Sequence, residues 1–273
     1  MRNTSSKNSI ALGWIAATLL MIGCVTLPKN MSQDWVPSVK PRLRAPIDAF
    51  VMVAIEYTAV PASCVTEDKD VDCAEILEEL PIITAAGSGS GVLIESERGA
   101  VVLTAAHVCA NDFPSTFEEE GSKVVIKIES TVDITLEAPT VGAFGATIIK
   151  MDEETDLCML KPSKVFTHPV ALSDVKPVIG DTIYSISAPF GISGIDLALI
   201  FEGFYSGTDI ISGDRRVDFY TVPSRPGSSG GPIFNRSWEV VGMVHTAFST
   251  LESVGIGAGL DPIRAFLFPG SVD

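Results

Sequence analysis

Residues 226–232 read Pro-Gly-Ser-Ser-Gly-Gly-Pro. Glycines flanking a serine between prolines make a tight turn. Glycine adopts positive φ angles at no steric cost, and such a turn aims successive backbone N–H groups at one point. A serine hydroxyl beside those groups has what acyl transfer needs: a nucleophile, and donors for the oxyanion that forms. Alone, the stretch also fits a flexible Gly/Ser loop, so its surroundings matter.

Working outward, the flanking runs VDFYTV (217–222), GPIFN (231–235), EVVGMVHT (239–246) and VGIGAGL (254–260) read as short strands. Upstream come FVMVAIEY (50–57), GVLIES (91–96), AVVLT (100–104), KVVIKIE (123–129), VDITLE (132–137), ATIIKM (146–151), DTIYSIS (181–187) and LALIFEGFY (197–205). The proline-rich stretch 161–177 divides them into two groups of about six. The expected fold is all-β: a double six-stranded β-barrel, the N-terminal barrel at about 48–162 and the C-terminal one at about 178–262, within a domain spanning 48–270. Asp261-Pro262 before IRAFLF reads as the N-cap and first position of a short C-terminal helix. The acid-rich segment 58–84 reads as an enlarged loop between the first two strands.

Two further motifs carry chemistry. His107, in LTAAHV (103–108), follows a strand on small neighbours. There it can offer one ring nitrogen to a nucleophile and the other to an orienting carboxylate. Asp156, in TDLCMLK (155–161), leads directly into an apolar strand, where its carboxylate can fix the tautomer of a histidine. A lone histidine or a turn aspartate is usually structural. The three together, in the order His107, Asp156, Ser229 and separated by 49 and 73 residues, form a specific pattern.

On these motifs the chain resembles the chymotrypsin-like (trypsin-like) serine endopeptidases, and most resembles the HtrA/Deg-type protease domain without PDZ. GSGSGVLI (87–94) resembles the strand before the histidine, and EVVGMVHTAF (239–248) the strand after the nucleophile. The resemblance implies that His107, Asp156 and Ser229 are catalytic and work through an acyl-enzyme. It implies an oxyanion hole at Gly227, Ser228 and Ser229, and a substrate pocket at Pro223, Ser224, Arg225, Val244, His245, Thr246 and Ala247. Secreted digestive members carry Asp before the nucleophile; Ser228 stands there, so activation by N-terminal trimming is not expected. No acidic residue falls in 221–226 or 244–248, which disfavours Lys or Arg as the side chain bound. Small or medium apolar side chains remain, with Glu or Gln if His245 or Arg225 faces the pocket. His245 lies one residue later than the pocket histidine of Glu-cleaving relatives, so alternation turns it away unless a bulge intervenes. A role beside Asp156 is the other reading.

GSSGG also satisfies the α/β-hydrolase elbow, but that fold needs a helix after the serine and the order Ser, acid, His. Pro232 and the absence of βαβ alternation oppose it. Of the five cysteines, Cys64 and Cys73 flank the acidic loop and could close a small ring as a disulfide; Cys109 and Cys158 either pair or stay as buried thiols. No cluster has metal-ligand spacing, and no metal or cofactor is expected.

Composition sets the outer limits. The chain has 273 residues, 46% hydrophobic and 19% charged, enough apolar material for a core and unlike a disordered chain. A formal net charge of -15 opposes binding to nucleic acid or anionic headgroups. Arg2 and Lys7 precede an uncharged run, Ile10–Leu27, so 1–27 reads as a signal peptide or membrane anchor. Leu20-Met21-Ile22-Gly23-Cys24 resembles a lipoprotein box with Cys24 as the lipidated residue, and 28–47 is a proline-bearing linker. The expectation is an exported, periplasmic or cell-envelope, membrane-tethered serine endopeptidase acting on polypeptide substrates. The alternatives are a catalytically inactive double-barrel scaffold or a virion-associated processing protease.

Overall fold

The computed structural model describes residues 44–66, 71–110, 113–118, 124–212, 215–248 and 251–270. The expected leader, Cys24 and most of the 28–47 linker lie outside them.

The first sheet is built from β1 (Phe50–Thr66), β2 (Ile83–Ser96), β3 (Gly99–Ala105), β4 (Thr116–Glu118), β5 (Val124–Ala138), β6 (Gly142–Asp152) and β7 (Leu157–Pro162). Its order is β1-β2-β3-β7-β6-β5-β4, and β1 also pairs with β5. Six strands therefore form a ring, and β4 is an addition on the edge of β5. The second sheet comprises β8 (Thr182–Ser187), β9 (Leu199–Ser212), β10 (Arg215–Tyr220), β11 (Pro232–Phe234), β12 (Val240–Phe248) and β13 (Leu251–Gly259). It closes as a six-stranded barrel in the order β10-β13-β12-β11-β8-β9.

Three expectations need correction. The runs 123–129 and 132–137 are not two strands: Ser130 and Thr131 stay extended and pair with Ala59 and Thr58, making one long β5. The segment 58–84 is not simply a loop. β1 continues to Thr66 opposite Val124, with its register shift between Pro61 and Ser63, where proline lacks a ladder N–H. Helix α1 (Cys73–Glu79) follows, capped by the Asp72 carboxylate on Ala74 N–H at 2.9 Å. The C-terminal helix α3 (Leu260–Leu267) starts before Asp261, with Gly259 as N-cap and Pro262 in the first turn, where no N–H is needed.

Phe50, Leu93, Leu103, Leu136 and Leu160 are fully buried in the first ring, and Ile183, Tyr220, Val222 and Ile233 in the second. The proline-rich connection is stitched to a strand of each: Val170 N–H donates to Leu93 O and Ser173 N–H to Val240 O, both at 2.9 Å. That seam joins the connection to both barrels.

Candidate active site

Strand register places the first two groups. β3 pairs with β7 so that Ala105 lies opposite Leu157. His107 sits in the single turn α2 (Ala106–Cys109) just beyond β3, and Asp156 just before β7, so the two ladder ends meet. Asp156 adopts a left-handed conformation, φ 57°, which a short polar side chain tolerates. Its carboxylate accepts the backbone N–H of His107 at 2.9 Å, and His107 Nδ1 lies 3.0 Å from both oxygens. A disulfide joins Cys109 to Cys158, each two residues past those groups; a second joins Cys64 to Cys73.

The carboxylate has more neighbours than expected. His245 Nδ1 lies 3.3 Å and Arg215 Nη2 3.6 Å from Asp156 Oδ2. Burial would raise the Asp156 carboxyl, but the His107 ring hydrogen bond, the charge His245 takes on in acid and the His107 backbone N–H together outweigh it and bring it to about 2. His245 is lowered to about 4: burial disfavours its cation, the attraction of Asp156 opposes this, and Arg215 and His107 add repulsion. His245 reaches this place through a bulge. The β12–β13 register shifts between Val244 and Thr246, leaving His245 as the extra residue.

The loop that carries Ser229 is shaped by glycines. Gly227 (φ 91°) and Gly230 (φ 83°) occupy conformations that side chains avoid. A Cβ on Gly230 would run into the Ser90 carbonyl and the Thr104 hydroxyl; one on Gly227 would meet the Ala188 carbonyl. Pro226 O accepts Phe190 N–H at 2.6 Å, which turns that carbonyl away. Among the described residues, the N–H groups of Gly227 and Ser229 donate to no protein acceptor. Ser228 is buried, its N–H donating to Arg225 O at 2.8 Å and its Oγ accepting Arg225 N–H at 3.2 Å. Ser229 Oγ donates to the His245 carbonyl at 2.7 Å.

Ser90 of β2 holds this loop to both barrels. Its N–H donates to Ser229 O at 2.7 Å, its Oγ donates to Gly227 O at 2.8 Å, and its Oγ accepts Ala188 N–H at 2.9 Å.

A cavity of about 580 Å³ contains His107, Asp156 and Ser229. Of the residues expected in a pocket, Ser224, Arg225, His245, Thr246 and Ala247 line it. Pro223 and Val244 do not: Pro223 is exposed, and Val244 packs into the core of the second barrel. Glu252 of β13, outside the two segments read as free of acids, also lines the cavity and forms an ion pair with Arg225. A second cavity, about 500 Å³, opens on the other side of His107 and Ser229 and includes Tyr57, Ser88 and Gly227. Sequence reasoning missed Ser90, Arg215 and Glu252. Arg215 and Glu252 lie outside every motif, and only the register of β10 and β13 brings them in. His168 is exposed on the connection, away from the site. No group of three or more metal-ligating side chains occurs among the described residues.

The family model described as the trypsin-like peptidase domain matches residues 89–243. The periplasmic pH-dependent serine endoprotease DegQ of Escherichia coli (strain K12) is 28% identical over 228 residues, covering 82% of this chain and 45% of DegQ. A probable periplasmic serine endoprotease DegP-like of Brucella suis is 31% identical over 191 residues, covering 67% of this chain and 31% of the relative. The chain thus spans less than half the length of these curated relatives. Among solved structures, the active form of the Rv3671c protease from M. tuberculosis superposes with a TM-score of 0.53 at 17% identity, covering 81% of this chain and 82% of that one; this likeness concerns the fold.

Proposed function

The chain belongs to the trypsin-like peptidase domain family, and from that premise we propose that it is an exported serine endopeptidase using Ser229, His107 and Asp156. Ser229 Oγ attacks the peptide carbonyl while His107 Nε2 takes its proton. The C–N bond of the tetrahedral intermediate breaks as that proton passes to the leaving amine. An acyl-enzyme remains, and water activated by the same imidazole hydrolyses it. Asp156 holds His107 with Nδ1 protonated and stabilises the imidazolium. The N–H groups of Gly227 and Ser229 receive the oxyanion, with Ser228 fixing the turn between them.

The observation that carries this reading is the His107–Asp156 contact at 3.0 Å on the same cavity as Ser229. Attack requires the Ser229 hydroxyl to leave the His245 carbonyl and turn to His107, an adjustment common between resting and substrate-bound sites. The test is covalent labelling by a fluorophosphonate probe, with peptide cleavage followed by mass spectrometry, in the native protein and in Ser229→Ala. Labelling and cleavage confined to the native protein support the reading; equal behaviour of the two refutes it. An inactive scaffold is disfavoured, since it has no reason to retain both the His–Asp contact and free N–H groups beside Ser229.

The finer parts of the proposal follow. The protease domain covers 48–270, with barrels at about 48–162 and 178–262. The substrate side chain enters the cavity bounded by Ser224, Thr246 and Ala247, where the Arg225–Glu252 pair is self-neutralised and small or medium apolar side chains are preferred. Export is supported by the periplasmic relatives. Residues 1–27 act as leader or anchor, with Cys24 the lipidation site in the first case.

A further inference from the structure

We propose that Tyr57 and Phe113 set specificity on the leaving side of the substrate: the cavity they line takes a large apolar or aromatic side chain from one of the first two residues after the cleaved bond. This deepens the endopeptidase reading and rests on it.

The place of the cavity follows from the reacting groups. Two cavities meet at His107 and Ser229, one of about 580 Å³ and one of about 500 Å³. The side chain before the cleaved bond is proposed to enter the first, beside Ser224, Thr246 and Ala247. In the proposed mechanism His107 protonates the leaving amine, so the peptide beyond that amine runs past the imidazole into the second. An extended chain advances about 3.3 Å per residue, which keeps its first two leaving residues beside the walls of that cavity.

Those walls are aromatic and tied down. Tyr57 of β1 donates its hydroxyl to the carbonyl of Val108, the residue after His107, at 3.1 Å. Its ring meets that of Phe113 edge to face, with centroids 6.4 Å apart and planes at 71°. The polar end of the phenol is thus satisfied by the backbone, and the rings are left as apolar surface toward the cavity.

Small residues of β2 clear the space between those rings and Ser229. Ala85 lies opposite Tyr57 in the β1–β2 ladder, and Gly87 follows two residues on, so both belong to one face of the strand. Both line the cavity, and a Cβ on Gly87 would meet no atom within 4 Å. The next residue on that face closes the space: a Cβ on Gly89 would run into Val108 and the Ser229 carbonyl.

Charge separates the two cavities. Asp156, Arg215, Arg225 and Glu252 line the first. Among the described residues lining the second there is no Asp, Glu, Lys or Arg. A charged side chain entering it would lose its water and meet no fixed counter-charge. An apolar one gains from burial, and an aromatic one also from edge contacts with the two rings.

The test cleaves a peptide library with the native full chain, Phe113→Ala and Gly87→Val, identifies both products of each cut by mass spectrometry, and follows with kcat/KM on matched peptides. In the native protein Phe, Tyr, Trp, Leu or Met should be preferred over Gly by about tenfold or more at one of the two positions after the cut, with Asp and Glu rejected there. Phe113→Ala removes one wall, and Gly87→Val fills the open floor with a residue that suits a strand. Each should lower that ratio by about threefold or more, with a smaller change in the preference before the cut. Fluorophosphonate labelling reports whether a variant has assembled its site, and because the two changes lie on opposite walls, either one that labels decides. A native protein that labels and cleaves but shows no preference after the cut overturns this proposal alone. So does a ratio that stays at the native value in a variant that labels. A native protein that neither labels nor cleaves refutes the endopeptidase reading, and this proposal with it.

Discussion

The Ser229 hydroxyl donates a hydrogen bond to the carbonyl of His245 at 2.7 Å, so the proposed nucleophile rests on the residue whose ring lies 3.3 Å from Asp156. No hydrogen bond joins Ser229 Oγ to His107 Nε2 among the described residues. In the proposed mechanism substrate binding supplies the reorientation, and each part of the assembly can be probed separately.

Ser229→Ala is expected to abolish fluorophosphonate labelling, while Ser228→Ala leaves it measurable, though slower. Ser228 is buried, and its Oγ only caps Arg225 N–H at 3.2 Å within the turn. Labelling that survives in Ser229→Ala would assign the nucleophile elsewhere.

Asp156→Asn should lower kcat by roughly 10⁴ with the fold retained, because an amide cannot hold His107 in the Nδ1–H tautomer. Steady-state kinetics alongside circular dichroism checks this. A loss below about tenfold would mean that another acid orients His107.

Acid stability should carry the mark of His245. Its pKa is 6.5 ordinarily and about 4 in the fold. Between those values the unfolded chain binds a proton that the folded one does not, so stability falls as pH drops through this window. Asp156, at about 2 instead of 3.8, adds a further loss as pH falls through that lower range. Thermal melting should show Tm declining from about pH 6.5 to about pH 4, and His245→Asn should flatten that part of the curve while leaving the more acidic part.

Glu252→Gln should free Arg225 in the cavity proposed for the substrate side chain. Relative kcat/KM for a peptide with Glu at the cleaved position should rise by about tenfold over its apolar counterpart. Peptide-library profiling tests this, and an unchanged preference would place the substrate side chain away from Arg225.

The two disulfides should differ in weight. Cys109–Cys158 closes 49 residues and Cys64–Cys73 only 9. Chain entropy makes the larger ring worth about 4 kcal/mol and the smaller about 2.5 kcal/mol. Urea unfolding of the paired Cys→Ala variants measures both, and the reverse ranking would contradict the entropic account.

The fold was largely legible because strand alternation and turn residues are local properties. The second barrel was read strand by strand, for VDFYTV, EVVGMVHT and VGIGAGL lie within or beside β10, β12 and β13. The first was misread where no glycine or proline separates two runs, at Ser130 and Thr131, and where a strand runs on through Pro61. At the site, His107, Asp156 and Ser229 stood out because each sits in a short motif. His245 was legible only conditionally, since a bulge is set by the pairing of β12 with β13 and not by the sequence of β12. Arg215 and Glu252 carry no local signal; their roles arise from which strands close the barrel.

The Cys109–Cys158 bond has a consequence for when the site is braced. Each sulfur is two residues from a group of the His107–Asp156 pair, and the two are far apart in the chain. The brace cannot form until residue 158 has been synthesised and both thiols have met an oxidant. A newly made chain among reductants lacks it, and its β3–β7 ladder alone then aligns His107 with Asp156. Reduction would thus strip a covalent clamp from beside the His107–Asp156 contact and leave its hydrogen bonds in place.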